Sequence, residues 1–354
     1  MSSIQKTPKP NTPTSSKPTV MVLEGLDGDI HKDPHVHDVA RSAQRALPED
    51  NPVGISFRKL KKSKDKLSIN SIQSFIESAF ISGFDRFTSN LKDISKLDKS
   101  KRPNAVNASI SKNELTVFTQ LKDKPKLFFD IGTQTEQTNL FDLKKEEDTT
   151  RYVWKLPELE SYIDKTVANS TNIAKATEKA EDAVEALKQK NVAVIVVSDN
   201  YNDDIEALKK EHPDVQFESD EGQSIFAVKN TITVGASNAD GTLTDYSSRG
   251  GEVDFTTQVP PSIEGRSIIK QDEYGTYEGG KTRGTSFTAP AVAGMYSILI
   301  AQGYSVDEAT AYLKRLGKAK KDDTPEANPY TDLNLEDVQK KLAQFNKPAS
   351  KEKK

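Results

Sequence analysis

The segment RGTSFTAPAVAG, from Arg283 to Gly294, sets a serine at the mouth of an apolar helical pattern. The first N–H groups of a helix lack internal partners, and the helix dipole is positive there, so Ser286 stands where a developing oxyanion would be stabilised. Gly284 permits close backbone approach, and Pro290, inside the helical pattern, frees a main-chain carbonyl. An ordinary Ser/Thr helix cap is the alternative reading of the same residues. A hydroxyl nucleophile needs a general base within hydrogen-bond reach, and the chain has four histidines: His31, His35, His37 and His212. The first three are the candidates. They lie among Asp27, Asp29, Asp33 and Asp38, a set that could instead bind zinc or a harder divalent ion.

The elements that must hold these groups alternate along the chain. TVMVL (Thr19 to Leu23) reads as a buried parallel strand ending at Glu24-Gly25. HDVARSAQRAL (His37 to Leu47) reads as a helix with one buried stripe, and VGISFRKL (Val53 to Leu60) as the next strand. SINSIQSFIESAFISGF (Ser68 to Phe84) places Ile72, Phe75, Ile76 and Phe80 on one helical face. AVNASIS (Ala105 to Ser111) is a third strand, followed by a polar stretch without repeat, about 112–164, read as an insertion. NIAKATEKAEDAVEALKQK (Asn172 to Lys190) is a helix by composition and periodicity. It leads into the strand VAVIVV, then TITVGA (Thr231 to Ala236) and a helix from about Thr285 to Gln302. This alternation predicts an α/β fold with a mainly parallel sheet and helices on both faces.

The chain of 354 residues suits one large domain, expected over 19–346, with a leader at 1–18 and a charged tail at 347–354. With 50 basic and 53 acidic residues the net charge is −3, which gives no global attraction to nucleic acid or anionic membrane. RKLKKSKDK (Arg58 to Lys66) reads as a solvated charged loop. The absence of cysteine excludes disulfides and a thiol nucleophile. The leader lacks the apolar core of a secretory signal, and no run is long enough to span a bilayer. The expected location is therefore the cytoplasm, or outside the cell by a signal-peptide-independent route. No nucleic acid, membrane insertion, metal or other cofactor is expected.

The full string Gly-Thr-Ser-x-x-x-Pro followed by Val-Ala-Gly resembles the nucleophile segment of the subtilisin-like serine proteases (subtilases, peptidase family S8). Thr288 stands where the family has alanine. VAVIVVSDN resembles the strand ending in the oxyanion-hole asparagine, which implies that role for Asn200; on composition alone Asn200 is a turn residue. NASIS resembles the family's Asn-x-Ser-Leu-Gly strand, so Ser109, Ile110 and Ser111 are implied as one wall of the primary substrate pocket, with Val197, Ser198 and Asp199 as the other. Ser111 and Asp199 replace family glycines. HVHDVAR resembles His-Gly-Thr-His-Val-Ala-Gly and implies His35 as the catalytic histidine, with Val36 in place of a glycine. VMVLEG resembles Val-Ala-Val-Ile-Asp-x-Gly and puts Glu24 where the orienting aspartate is expected, with Asp27 and Asp29 as substitutes.

The order acid, histidine, serine is that of the subtilisins. The resemblance implies a subtilisin-like fold and a serine endopeptidase acting on protein or peptide substrates through an acyl-enzyme on Ser286. The alternative is a catalytically disabled scaffold that binds peptides. The stretch before Glu24 is too short for a folded inhibitory prodomain, so zymogen processing of that kind is not expected. The insertion at 112–164 is a site for a regulatory partner or a passive surface excursion.

Overall fold

The computed structural model describes residues 17–24, 34–45, 47, 53–60, 69–110, 112–146, 149–215, 217, 224–249, 253–259, 271–272, 275–276, 284–321 and 329–346. In chain order β1 (Thr19–Glu24) is followed by α1 (Pro34–Arg45), β2 (Gly54–Lys59), α2 (Ile72–Ser95) and β3 (Ala105–Ala108). Next come α3 (Glu114–Lys122), α4 (Pro125–Ile131), α5 (Gln134–Leu140), the hairpin of β4 (Phe141–Glu146) and β5 (Thr149–Trp154), and α6 (Leu156–Asn169). Then follow α7 (Thr171–Lys188), β6 (Ala193–Val197), α8 (Asn202–Glu211), β7 (Ile232–Ala236), β8 (Phe255–Thr257) and the short pair β9 (Gln271–Asp272) and β10 (Gly275–Thr276). The chain continues through α9 (Thr285–Ala301), α10 (Val306–Leu316), β11 (Lys318–Lys320), β12 (Tyr330–Leu333) and α11 (Leu335–Leu342).

Eight strands form one sheet in the order β11-β12-β8-β7-β6-β3-β1-β2. Every pairing in it is parallel except that of β11 with β12. The central strands read as continuous apolar runs because both faces are covered: Ala193 to Val197 are all buried, as are Ile232 to Ala236. From β1 the chain moves outward to β2, then crosses back to lay β3 on the other side of β1. This reversal opens a crevice at the carboxyl ends of β1 and β3, the place where open α/β sheets carry their sites.

Two helical layers cover the sheet. One packs the stripe Ile72, Ile76, Phe80, Phe84, Phe87 and Leu91 of α2 with Ala180, Val184 and Leu187 of α7. The other is built on α9, with Val39 of α1, Leu313 of α10 and Val338 of α11. Residues 112–164 join the first layer: Phe141 and Trp154 stack at 4.0 Å, and the Trp154 Nε1–H donates to the Leu121 carbonyl at 3.0 Å. Among the described residues no helix is long and apolar enough to cross a membrane.

The elements differ from the sequence expectations in instructive places. Helix α1 begins at Pro34 rather than His37, because a proline fits the first helical position, and this brings His35 and Val36 into the first turn. Helix α2 runs on to Ser95, its apolar stripe continuing through Phe87, Leu91 and Ile94. Helix α8 escaped the sequence reading because Ile205 is its one buried residue and leaves little periodicity.

Helix α9 is apolar or small on all sides, and all its residues except Ser286 are buried. It packs against α1 so closely that a Cβ at Gly294 would run into the Ala43 carbonyl. We expect Gly294→Ala to force the two helices apart at a cost of about 1–3 kcal/mol, the range for overpacked cores, read as a lower urea midpoint at unchanged slope.

Candidate active site

The start of α9 is shaped by its neighbours. Gly284 precedes the helix at φ +137° and ψ 151°, a region open essentially to glycine alone. The next N–H, that of Thr285, donates to Asn200 Oδ1 at 2.8 Å, and the Phe287 N–H donates to the Gly284 carbonyl at 3.1 Å. Between them the Ser286 N–H, at the second helical position, has no acceptor within the helix. Ser286 itself is partly exposed, while Thr285, Phe287 and Thr288 are buried.

Pro290 lies four residues after Ser286, so it removes the helical donor that would have served the Ser286 carbonyl. That carbonyl accepts a hydrogen bond from Ser109 Oγ at 3.3 Å instead. Ser109 Oγ in turn accepts from the buried Asn107 Nδ2 at 2.7 Å. The pair Asn107-Ser109, at and just beyond the end of β3, thus ties the sheet to the turn that carries Ser286.

Asn200 follows β6. Because the Thr285 N–H can only donate, the atom it meets must be the amide oxygen of Asn200, which leaves Nδ2 as a free-standing donor on an exposed side chain. The preceding Asp199 is in the left-handed region at φ +75°, tolerated by Asp and suited to the glycine that the resemblance expects there. Its carboxylate accepts from Asn113 Nδ2 at 3.3 Å, and its carbonyl accepts from the Ser248 N–H at 3.0 Å. Asn113 Oδ1 simultaneously caps α3 by accepting from the Thr116 N–H at 2.7 Å. Ser198 Oγ meets Ser247 Oγ at 3.3 Å, so Val197, Ser198 and Asp199 all have buried side chains.

His35, in the first turn of α1, is half-buried, its ring edge-on to Phe287 with centroids 5.4 Å apart. The imidazole therefore sits against the residue next to Ser286, although no hydrogen bond joins His35 to the Ser286 hydroxyl among the described residues. Val36 is fully buried. Glu24 closes β1 beside β3, at the same sheet edge; its side chain, like that of His37, lies outside the described residues. Asp27, Asp29, His31, Asp33 and Ser111 also lie outside them. Asp38 is paired with Arg41 at 2.9 Å, and His212 ends α8 beside Glu211 at 3.6 Å.

A cavity of about 540 Å³ opens beside this group, with His35, Ser109 and Ile110 on one side and Phe75, Ala79 and Ser82 of α2 on the other. Its described lining includes none of Val197, Ser198 and Asp199. Burial pushes the pKa of Lys112, which also lines it, below the ordinary lysine value. Sequence reasoning missed Asn107, Asn113 and Lys112; the only local signal was their position beside the Asn-x-Ser strand.

The Peptidase S8 model, the Subtilase family, matches residues 86–328. The matched span takes in Ser109, Asn200 and Ser286 and begins beyond Glu24 and His35. No curated protein matches the sequence. Among solved structures the chain is similar to a lanthipeptide protease (14% identity, 92% of this chain and 87% of that one, TM-score 0.45). It is also similar to the epidermin leader peptide processing serine protease EpiP from Staphylococcus aureus (14%, 96% and 78%, 0.45) and to a cold adapted subtilisin-like serine proteinase (14%, 92% and 91%, 0.40).

The turn before α9 makes its own prediction. Gly284→Ala places a side chain in a glycine-only backbone region, where its Cβ would meet the Asn200 amide at an ordinary contact distance of 3.4 Å, so the strain lies in the backbone. The expected loss is about 1–3 kcal/mol of unfolding free energy, measured by urea titration.

Proposed function

The chain belongs to the Subtilase family, and on that premise we propose that it is a serine endopeptidase that cleaves peptide bonds through an acyl-enzyme on Ser286. The observation that carries the reading is the division of labour at Asn200, whose oxygen is committed to Thr285 while its amide nitrogen is left to donate beside Ser286. Two donors, Asn200 Nδ2 and the Ser286 N–H, then serve the oxygen of a carbonyl under attack.

In this mechanism neutral His35 takes the Ser286 hydroxyl proton as Oγ bonds to the substrate carbonyl carbon. The carbonyl π electrons move to oxygen, and the resulting oxyanion is held by the two donors. The imidazolium passes its proton to the leaving amine, the C–N bond breaks, and an acyl-enzyme remains. Water, deprotonated by the same imidazole, attacks the ester carbonyl, and as the C–O bond to Ser286 breaks the imidazolium returns its proton to Oγ and the acid product is released. Glu24 orients His35 and stabilises its cation; its place at the end of β1, next to the strand that leads to Ser109, supports that role. The Asn107-Ser109 link fixes the Ser286 backbone while the hydroxyl reacts. The substrate lies along Ser109, Ile110 and Ser111, with Val197, Ser198 and Asp199 forming the far wall of the primary pocket through their backbone. The segment 112–164 reaches the site through Asn113 and is where a regulatory partner would act. The absence of a membrane-crossing helix among the described residues is compatible with either the cytoplasm or signal-independent export.

A second reading is a peptide-binding protein without hydrolysis, motivated by Glu24 and Val36, which stand where the resemblance expects an aspartate and a glycine. A fluorophosphonate probe separates the two. We expect the wild-type chain to be labelled, with labelling abolished in Ser286→Ala and lost in His35→Ala. Asn200→Ala should lower turnover by roughly 10²–10³, the cost measured in subtilisin for removing one oxyanion donor. A wild-type chain that binds peptide yet is never labelled would overturn the endopeptidase reading.

A further inference from the structure

The cavity beside His35 has a composition that the proposed chemistry does not use. Its volume of about 540 Å³ falls in the range of ligand pockets, roughly 300–1,000 Å³. The floor is apolar, with Phe75, Ile110 and Phe226, and Ile69, 47% exposed, stands at its edge. Two cations, Arg86 and Lys112, line it, and none of the described residues lining it is acidic. Gly83, inside α2, gives up helix propensity there; a Cβ at that position would crowd Ile225 at 3.3 Å and would meet Phe226 and the Lys112 stem at ordinary contact distances of 3.6 Å and 3.7 Å.

Lys112 is the telling residue. Its main-chain carbonyl accepts from the Ile225 N–H at 2.7 Å, which fixes the backbone. Its ammonium makes no ion pair among the described residues, and burial disfavours its charged form, so an incoming carboxylate would relieve a desolvated cation. The cavity shares Ser109 with the turn that carries Ser286 and His35 with the proposed base, yet it excludes the 197–199 wall.

We propose that this cavity is a recognition pocket for an acidic side chain of the substrate, Glu or Asp at a position away from the scissile bond, with Lys112 as its charge partner. The proposal rests on the endopeptidase reading above. An acidic residue with aliphatic length fits both properties of the site, because its methylenes lie against Ile110 and Phe226 and its carboxylate meets Lys112.

The test uses the full chain carrying Ser286→Ala and fluorescein-labelled peptide pools in which Glu, Gln or Lys is fixed at each position in turn, with binding read by fluorescence polarisation. At one position the Glu pool should bind about tenfold tighter than the Gln pool, the scale of a hydrogen bond to a charged group. That preference should vanish with added Lys112→Met and turn toward the Lys pool with Lys112→Glu. Equal binding of Glu and Gln pools at every position overturns the proposal without reference to any Lys112 variant, as does a preference that survives Lys112→Met. Fluorophosphonate labelling of the wild-type chain keeps the two ideas apart. Labelling with no charge preference overturns the pocket alone; a charge preference without labelling supports the pocket and overturns the endopeptidase reading.

Discussion

A helix that is apolar around its whole circumference is stable only where protein encloses it, and α9 is such a helix. Much of the second layer follows from that requirement. The sheet supplies one side through Val20, Ile195 and Val234, α1 supplies another, and α10 and α11 close the rest. Gly294 sets how near α1 can come, so the same contact that encloses α9 also brings the first turn of α1, with His35, to the first turn of α9. Burying a helix that far forward obliges its opening N–H groups to find acceptors near the sheet edge. Asn200 and Gly284 serve two of them, and the group left over belongs to Ser286.

Pro290 sharpens the point. Inside a helix it removes a donor and crowds the carbonyl four residues back, a cost of about 3 kcal/mol if nothing responds. Here that carbonyl belongs to Ser286 and is taken up by Ser109, which is held by Asn107. The missing helical bond is thus replaced by one that reaches across to β3. A local defect in α9 becomes a positional link between the sheet and the residue proposed to react.

Much of this was legible in the sequence, and what was not has a physical explanation. The strands at Thr19, Ala193 and Ile232 announce themselves as apolar runs, and α7 and α9 by composition. The first turn of α1 was hidden because Pro34 had to be recognised as an N-terminal residue instead of a breaker. The helices of 112–164 are short and held by aromatic packing, among them Phe128, Phe141 and Trp154, which no periodicity records. At the site, Ser286 and Asn200 are singled out by strings that resemble family segments, not by composition, which reads Asn200 as a turn residue. The bond between Ser109 and Ser286 spans 177 positions, and the Asn113-Asp199 contact spans 86, so neither leaves a local trace. The cavity likewise draws on α2, the end of β3 and Phe226, pieces that only the fold assembles.

The sheet also acts as a partition. Helices α1 and α9, which bear His35 and Ser286, share one hydrophobic layer, whereas α2 and Phe226, which wall most of the cavity, belong to the other. Ser109, at the strand end between them, and His35 meet both: each lines the cavity, while Ser109 bonds the Ser286 carbonyl and the His35 ring lies against Phe287. Substitutions in α2 can therefore reshape the cavity while the packing that aligns the helices bearing His35 and Ser286 is left in place. On the proposed reading, preference and chemistry would be separately inherited in this molecule, and a laboratory library confined to the cavity-facing side of α2 would explore the first with the second held fixed.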